Sequence, residues 1–85
     1  MATYRILYWQ EVPSQIAASD AYDDVTVMLP QRFMDRIDLL AARRGLQGSD
    51  DYLSHWRWSE DQERDGSARE VAEAVRVEIE SSTDW

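Results

Sequence analysis

From Thr3 to Trp9 the chain is almost wholly apolar, with Tyr4, Ile6 and Tyr8 alternating against Arg5, Leu7 and Trp9. A period of two carried by aromatic and β-branched residues predicts a strand, and apolar side chains at both parities predict that both of its faces are covered. The run "DVTVMLP" from Asp24 alternates again, with Val25, Val27 and Leu29 on one side, Thr26 and Met28 on the other, and Pro30 as its end. These two strands are expected to pair antiparallel. The fifteen positions from Gln10 to Asp24 are too many for a tight hairpin and read as a surface loop of the kind that carries function.

Beyond Pro30 the period lengthens. In "QRFMDRIDLLAARRGL" the residues Phe33, Ile37, Leu40 and Ala41 share one helical face, with Met34 beside them. Pro30 suits the first turn, where its missing N–H has no intrahelical partner, and the helix is expected from Pro30 to Arg44. Arg43 and Arg44 match the negative end of the helix dipole, and Gly45 followed by Leu46 predicts a left-handed cap with an apolar partner. Ser49, Asp50 and Asp51 predict a short helix over "SDDYLSHW" that buries Leu53 and Trp56 and half-buries Tyr52. "WRWSE" either ends that helix or forms a third, short strand with Trp56 and Trp58 on the same side, the extended form being favoured, and "SEDQERDG" reads as a solvated loop. Ser67 with Glu70 forms a capping box for a helix from about Ala68 to Glu80, whose apolar face is Val71, Ala74, Val75 and Ile79. Glu78 and Glu80 stand at the unfavourable end of that helix's dipole, so packing must hold it. Residues 81–85 read as a frayed tail. The sum is one α+β domain over residues 1–85: an antiparallel sheet of two to three strands, two main helices and one short one.

Composition narrows the chemistry. There is no Cys, which removes thiolate nucleophiles and thiolate metal sites, and all nine basic residues are Arg, which removes Schiff-base chemistry and the phosphate-loop lysine. A net charge of -8 repels phosphate backbones, so nucleic acid is not an expected partner. No apolar run has the length of a signal peptide or membrane span, which predicts a soluble cytoplasmic protein. The single histidine, His55, has no evident catalytic companions, and Ser14 beside Pro13 lacks the G-x-S-x-G elbow. Asp20, Asp23 and Asp24 lack the glycine and closing glutamate of a calcium loop. Neither a catalytic residue, a metal site nor a cofactor is therefore expected. Four Trp and four Tyr exceed what so small an interior readily hides, and Trp, Tyr and Arg dominate binding hot spots. The expected partner-binding surface is Trp9, Gln10, Glu11, Pro13, Ser14 and Gln15, with Trp58 and with Ile16 as the anchor of the loop.

The stretches "YRILYWQEVPSQI", "VMLPQRFMDRID", "DDYLSHWRWSE" and "GSAREVAEAV" together resemble a small bacterial family known as virulence factors. Its members occur as free-standing proteins of about this length and as a domain attached to helical-repeat proteins. The resemblance implies no catalytic residue. It does imply proximity to folate- and corrinoid-dependent one-carbon enzymes, and hence an accessory role. The expected function is a non-enzymatic accessory subunit or adaptor that docks on a larger protein, such as a one-carbon metabolism enzyme. Two alternatives are a module handling a folate-like cofactor and an acidic nucleic-acid mimic; Arg interspersed among the carboxylates weighs against the latter.

Overall fold

The computed structural model describes residues 1–46 and 50–84. Its elements in chain order are β1 (Ala2–Trp9), β2 (Val12–Ser19), β3 (Asp24–Met28), α1 (Gln31–Arg43), α2 (Asp50–Ser54), β4 (Trp56–Trp58), β5 (Gln62–Arg64) and α3 (Ala68–Ser82). The class is α+β, but the sheet has five strands rather than two or three, in the order β3-β2-β1-β4 with β5 also on β1. All pairs are antiparallel.

The additional central strand is β2, and it lies inside the segment expected to be a loop. Val12, Ser14, Ile16 and Ala18 are buried while Pro13, Gln15, Ala17 and Ser19 are half-buried, a regular alternation built largely from small residues. Strands β1 and β3 consequently never pair with each other; each pairs with β2. Pro13 stands past the β2–β3 ladder, whose outermost bond runs from the Leu29 N–H to the Ser14 carbonyl, so no β3 partner waits for the N–H a proline lacks. The β1–β2 link is only Gln10 and Glu11, and Gln10 takes a left-handed φ of 53° there. Between Leu7 and Tyr8 the register slips by one residue, a bulge of the kind that sharpens local twist.

Segment Trp56–Arg64 is also more strand-like than its acidic composition suggests. The "solvated loop" contains β5, and β4 and β5 are two parts of one edge interrupted around Ser59. Ser59 spans the break: its Oγ accepts the Ile6 N–H at 2.9 Å and its own N–H reaches the Ile6 carbonyl at 2.8 Å.

One apolar cluster unites the sheet with the two long helices: Ala2, Ile6, Ile16 and Ala18 with Phe33, Ile37 and Ala41 of α1 and Val71, Ala72 and Val75 of α3. Helix α1 begins one residue later than expected, with Pro30 at the N-cap position. It ends as its sequence requires: Gly45 has φ 70°, its N–H bonds the Ala42 carbonyl, and the Leu46 N–H bonds the Ala41 carbonyl, the paired bonds of a Schellman cap. At the start of α3 both halves of the capping box are made, Ser67 Oγ accepting from the Glu70 N–H and Glu70 Oε1 from the Ser67 N–H. Asp20 adds a third fastening. Its Oδ2 accepts the Ala68 N–H at 2.8 Å, while Oδ1 accepts from Tyr22 and Asp23 at 2.7 and 2.8 Å, so one carboxylate ties the β2–β3 turn to α3. The unfavourable Glu78 and Glu80 each meet an arginine, Arg64 of β5 and Arg76 one turn earlier. Helix α3 continues through Ser82, with the Thr83 hydroxyl on the Ile79 carbonyl.

Helix α2 departs from expectation. Leu53 is 65% exposed rather than buried, and Trp56, likewise expected to be buried, is half-buried and belongs to β4; the five residues of α2 offer too little face to cover more than part of Tyr52. The expected cap Ser49 and the terminal Trp85 lie outside the described residues.

Candidate functional site: the open face of the sheet

Side chains alternate between the two faces of a strand, and directly opposed residues in a ladder share a face. The even-numbered residues Ala2, Tyr4 and Ile6 of β1, opposite Ala18 and Ile16, belong to the helix-covered core. Thr3, Arg5 and Leu7 define the other face, which Trp9 leaves for the interior under Tyr52 and His55, and the registers arrange the open positions in rows across the sheet. The first row is Met28, Gln15, Leu7 and Trp58, from β3, β2, β1 and β4 in turn. The second is Thr26, Ala17 and Arg5. The third is Asp24, Ser19, Thr3 and Glu63.

No residue of these rows is buried. Their chemistry is graded. The first row is apolar apart from Gln15, with Met28 57% and Trp58 38% exposed. The Arg5 guanidinium lies over the Trp58 ring, 4.4 Å from its centroid, a cation–π contact at the boundary between the first and second rows. Rows two and three, small at Thr3, Ala17, Ser19 and Thr26, floor a shallow depression of about 460 Å³ whose lining also includes Arg5, Asp24 and Asp61. An apolar strip therefore gives way to an acidic margin of Asp24, Asp61 and Glu63.

The residues expected from sequence to bind a partner are scattered over this framework. Trp9 has 0% exposure. Its indole N–H donates to the Tyr52 carbonyl at 2.8 Å, and its ring meets Tyr52 and His55 at centroid distances of 5.5 and 5.7 Å. The expectation of Trp9 as a contact residue is thus corrected: its surface is spent on the interior. Ser14 is buried as well, its hydroxyl against Met34 Sδ at 3.7 Å. Gln10 and Glu11 form the hairpin tip, where the Gln10 carbonyl accepts from Arg57 and Glu11 pairs with Arg44 at 3.0 Å. The hydrogen bond from Arg44 leads the effects that hold the Glu11 carboxyl below its ordinary range. Pro13 is half-buried opposite Tyr8. Only Gln15 and Trp58 come together, on either side of Leu7 in the first row.

Leu7, Met28 and Arg5 complete the surface and were not singled out by sequence reasoning. The signal that finds them is the alternation of β1 and β3, once β2 is inserted between those strands. Among the described residues no group of His, Asp and Glu side chains is placed to hold a metal ion, and no helix is long and apolar enough to cross a membrane.

No curated protein and no solved structure is significantly similar to this chain. The profile of the family described as "Virulence factor" matches residues 7–84, a stretch that takes in all three helices and every strand beyond the first part of β1, and the chain belongs to that family.

Proposed function

We propose that this chain is a non-enzymatic accessory module that docks on a larger protein through the open face of its sheet. The observation that carries the proposal is the continuous row Met28–Gln15–Leu7–Trp58, an apolar strip across four strands that neither α1, α2 nor α3 buries. Trp, Met and Arg are among the residue types enriched at interface centres, and the strip supplies Trp58 and Met28 while Arg5 of the next row lies over Trp58. The surface it suits has an apolar centre and a basic margin opposite Asp24, Asp61 and Glu63.

The surface differs from the one expected from sequence. Trp9 is interior, the hairpin tip is held by Arg57 and Arg44, and Trp58 and Gln15 belong to the face directly. Met28→Glu places a charge in the apolar strip at a position already open to water, and Trp58→Ala removes the largest ring. Captured from native extract, each variant should lose a specific larger protein that the wild type retains, while its far-UV circular dichroism stays unchanged. Undiminished capture by both folded variants would exclude this face as the docking surface.

A further inference from the structure

The sheet has two unlike edges. The β4–β5 side consists of two three-residue strands broken around Ser59, the short and irregular form that discourages further pairing. The β3 side is regular, five residues long, and paired only on its inner side. The Leu29 N–H bonds the Ser14 carbonyl, so by alternation Val27 and Val25 also direct their backbone groups toward β2, and Asp24, Thr26 and Met28 direct theirs outward. All three of these residues are solvent-exposed. Their outward N–H and C=O groups have no protein partner among the described residues.

We propose that β3 is a homodimerisation edge, joining a second copy of this chain by antiparallel strand addition about a two-fold axis at Thr26. This does not rest on the docking proposal above. The register follows from the pattern. Centring the axis on Thr26 sets Thr26 opposite Thr26, and Asp24 of each copy opposite Met28 of the other. Each of these three pairs is of the type that exchanges two N–H···O bonds, so six bonds satisfy every outward group of both edges. A shift of two residues in either direction leaves some of those groups unpaired. Charge agrees with the same register. Asp24 faces Met28 rather than another carboxylate, and the two Asp24 side chains stand roughly 14 Å apart along the strands, beyond the ~8 Å screening length of physiological salt. Val25 of each copy meets Val27 of the other on the helix side. An isologous contact of this kind closes at two copies.

The test uses charges at the axis. Thr26→Lys and Thr26→Glu each put like charges directly opposite one another across the two-fold, while leaving the β2–β3 ladder intact because the residue 26 backbone faces outward. By sedimentation equilibrium at about 100 µM, where a micromolar dimer is filled, the wild type should run at twice 9.9 kDa. Each charged variant should run as a monomer, and their equimolar mixture should recover the dimer. Thr26→Pro, which lacks the central N–H, should weaken the dimer at least about tenfold. A monomeric wild type, charged variants that dimerise like the wild type, or a mixture that stays monomeric would each overturn the proposal.

Discussion

Replacing Trp9 with phenylalanine should destabilise the fold and leave the docking face untouched. The indole is fully enclosed, and its N–H is satisfied by the Tyr52 carbonyl at 2.8 Å. Phenylalanine keeps a ring against Tyr52 and His55 but gives up that hydrogen bond, worth about 1 kcal/mol net. It also vacates on the order of 40 Å³, which at ~24 cal/mol per Å³ of unrelaxed cavity adds about 1 kcal/mol. A total near 2 kcal/mol corresponds to a fall in Tm of roughly 8–16 °C for a domain of this size. Thermal unfolding followed by far-UV circular dichroism reads the change without relying on the tryptophan being removed. A Tm within about 2 °C of wild type, a loss below ~0.5 kcal/mol, would show that Trp9 is not the interior anchor described here. Reduced capture of a partner by a variant of unchanged stability would return Trp9 to the binding surface.

Acid should destabilise the protein chiefly below about pH 4.5, where ordinary carboxylates begin to protonate. Hydrogen bonds from the backbone of Ala68, then Tyr22 and Asp23, hold the Asp20 carboxyl below its ordinary range. Glu70 is held down by the Ser67 backbone, and Glu78 by Arg64. A depressed folded-state pKa gives stability that is present above the unfolded pKa and lost as pH falls through the folded one, so Tm should plateau near neutrality and fall on the acid side. Asp20→Asn should lower Tm at neutral pH and flatten the acid slope; an unchanged slope in a Tm series from pH 2 to 7 would deny Asp20 that role. Gly45→Ala has open space for its methyl but sits at φ 70°, so urea denaturation should show a loss of about 1 kcal/mol from the α1 cap, and no loss would mean the cap relaxes freely.

The helices were legible because their signals are local. The amphipathic stripe of α1, its Gly45–Leu46 cap and the Ser67–Glu70 box all operate within a few residues, and each is realised. Strand β2 was not, because its inward face is Val12, Ser14, Ile16 and Ala18, small or polar at half the positions, with Pro13 posing as a loop marker. Missing that strand lengthened the apparent β1–β3 connection and moved attention to a loop that is in fact a two-residue turn. It also hid the first row of the open face, since Met28, Gln15 and Leu7 become neighbours only through the two registers that β2 supplies. Trp9 was misplaced for a different reason. Its type is common at interfaces, but covering it requires Tyr52 of α2 and His55 just beyond that helix, more than forty positions away, packing that a period-two pattern does not encode. Arg64, fourteen residues before Glu78 and on another element, relieves a helix end that looked unfavourable when read alone.

The measurement that addresses the open face most directly is site-specific photo-cross-linking in the native cell. A benzophenone side chain is placed in turn at Gln15 and Trp58 on the open face, and at Leu39 of α1 and Tyr22 of the β2–β3 turn as exposed positions elsewhere. Docking through the uncovered strands predicts discrete adducts heavier than two copies of the 9.9 kDa chain from Gln15 and Trp58, and none from Leu39 or Tyr22. Adducts heavier than two copies from Leu39 or Tyr22 alone, or equal yields of such adducts from all four positions, would contradict it.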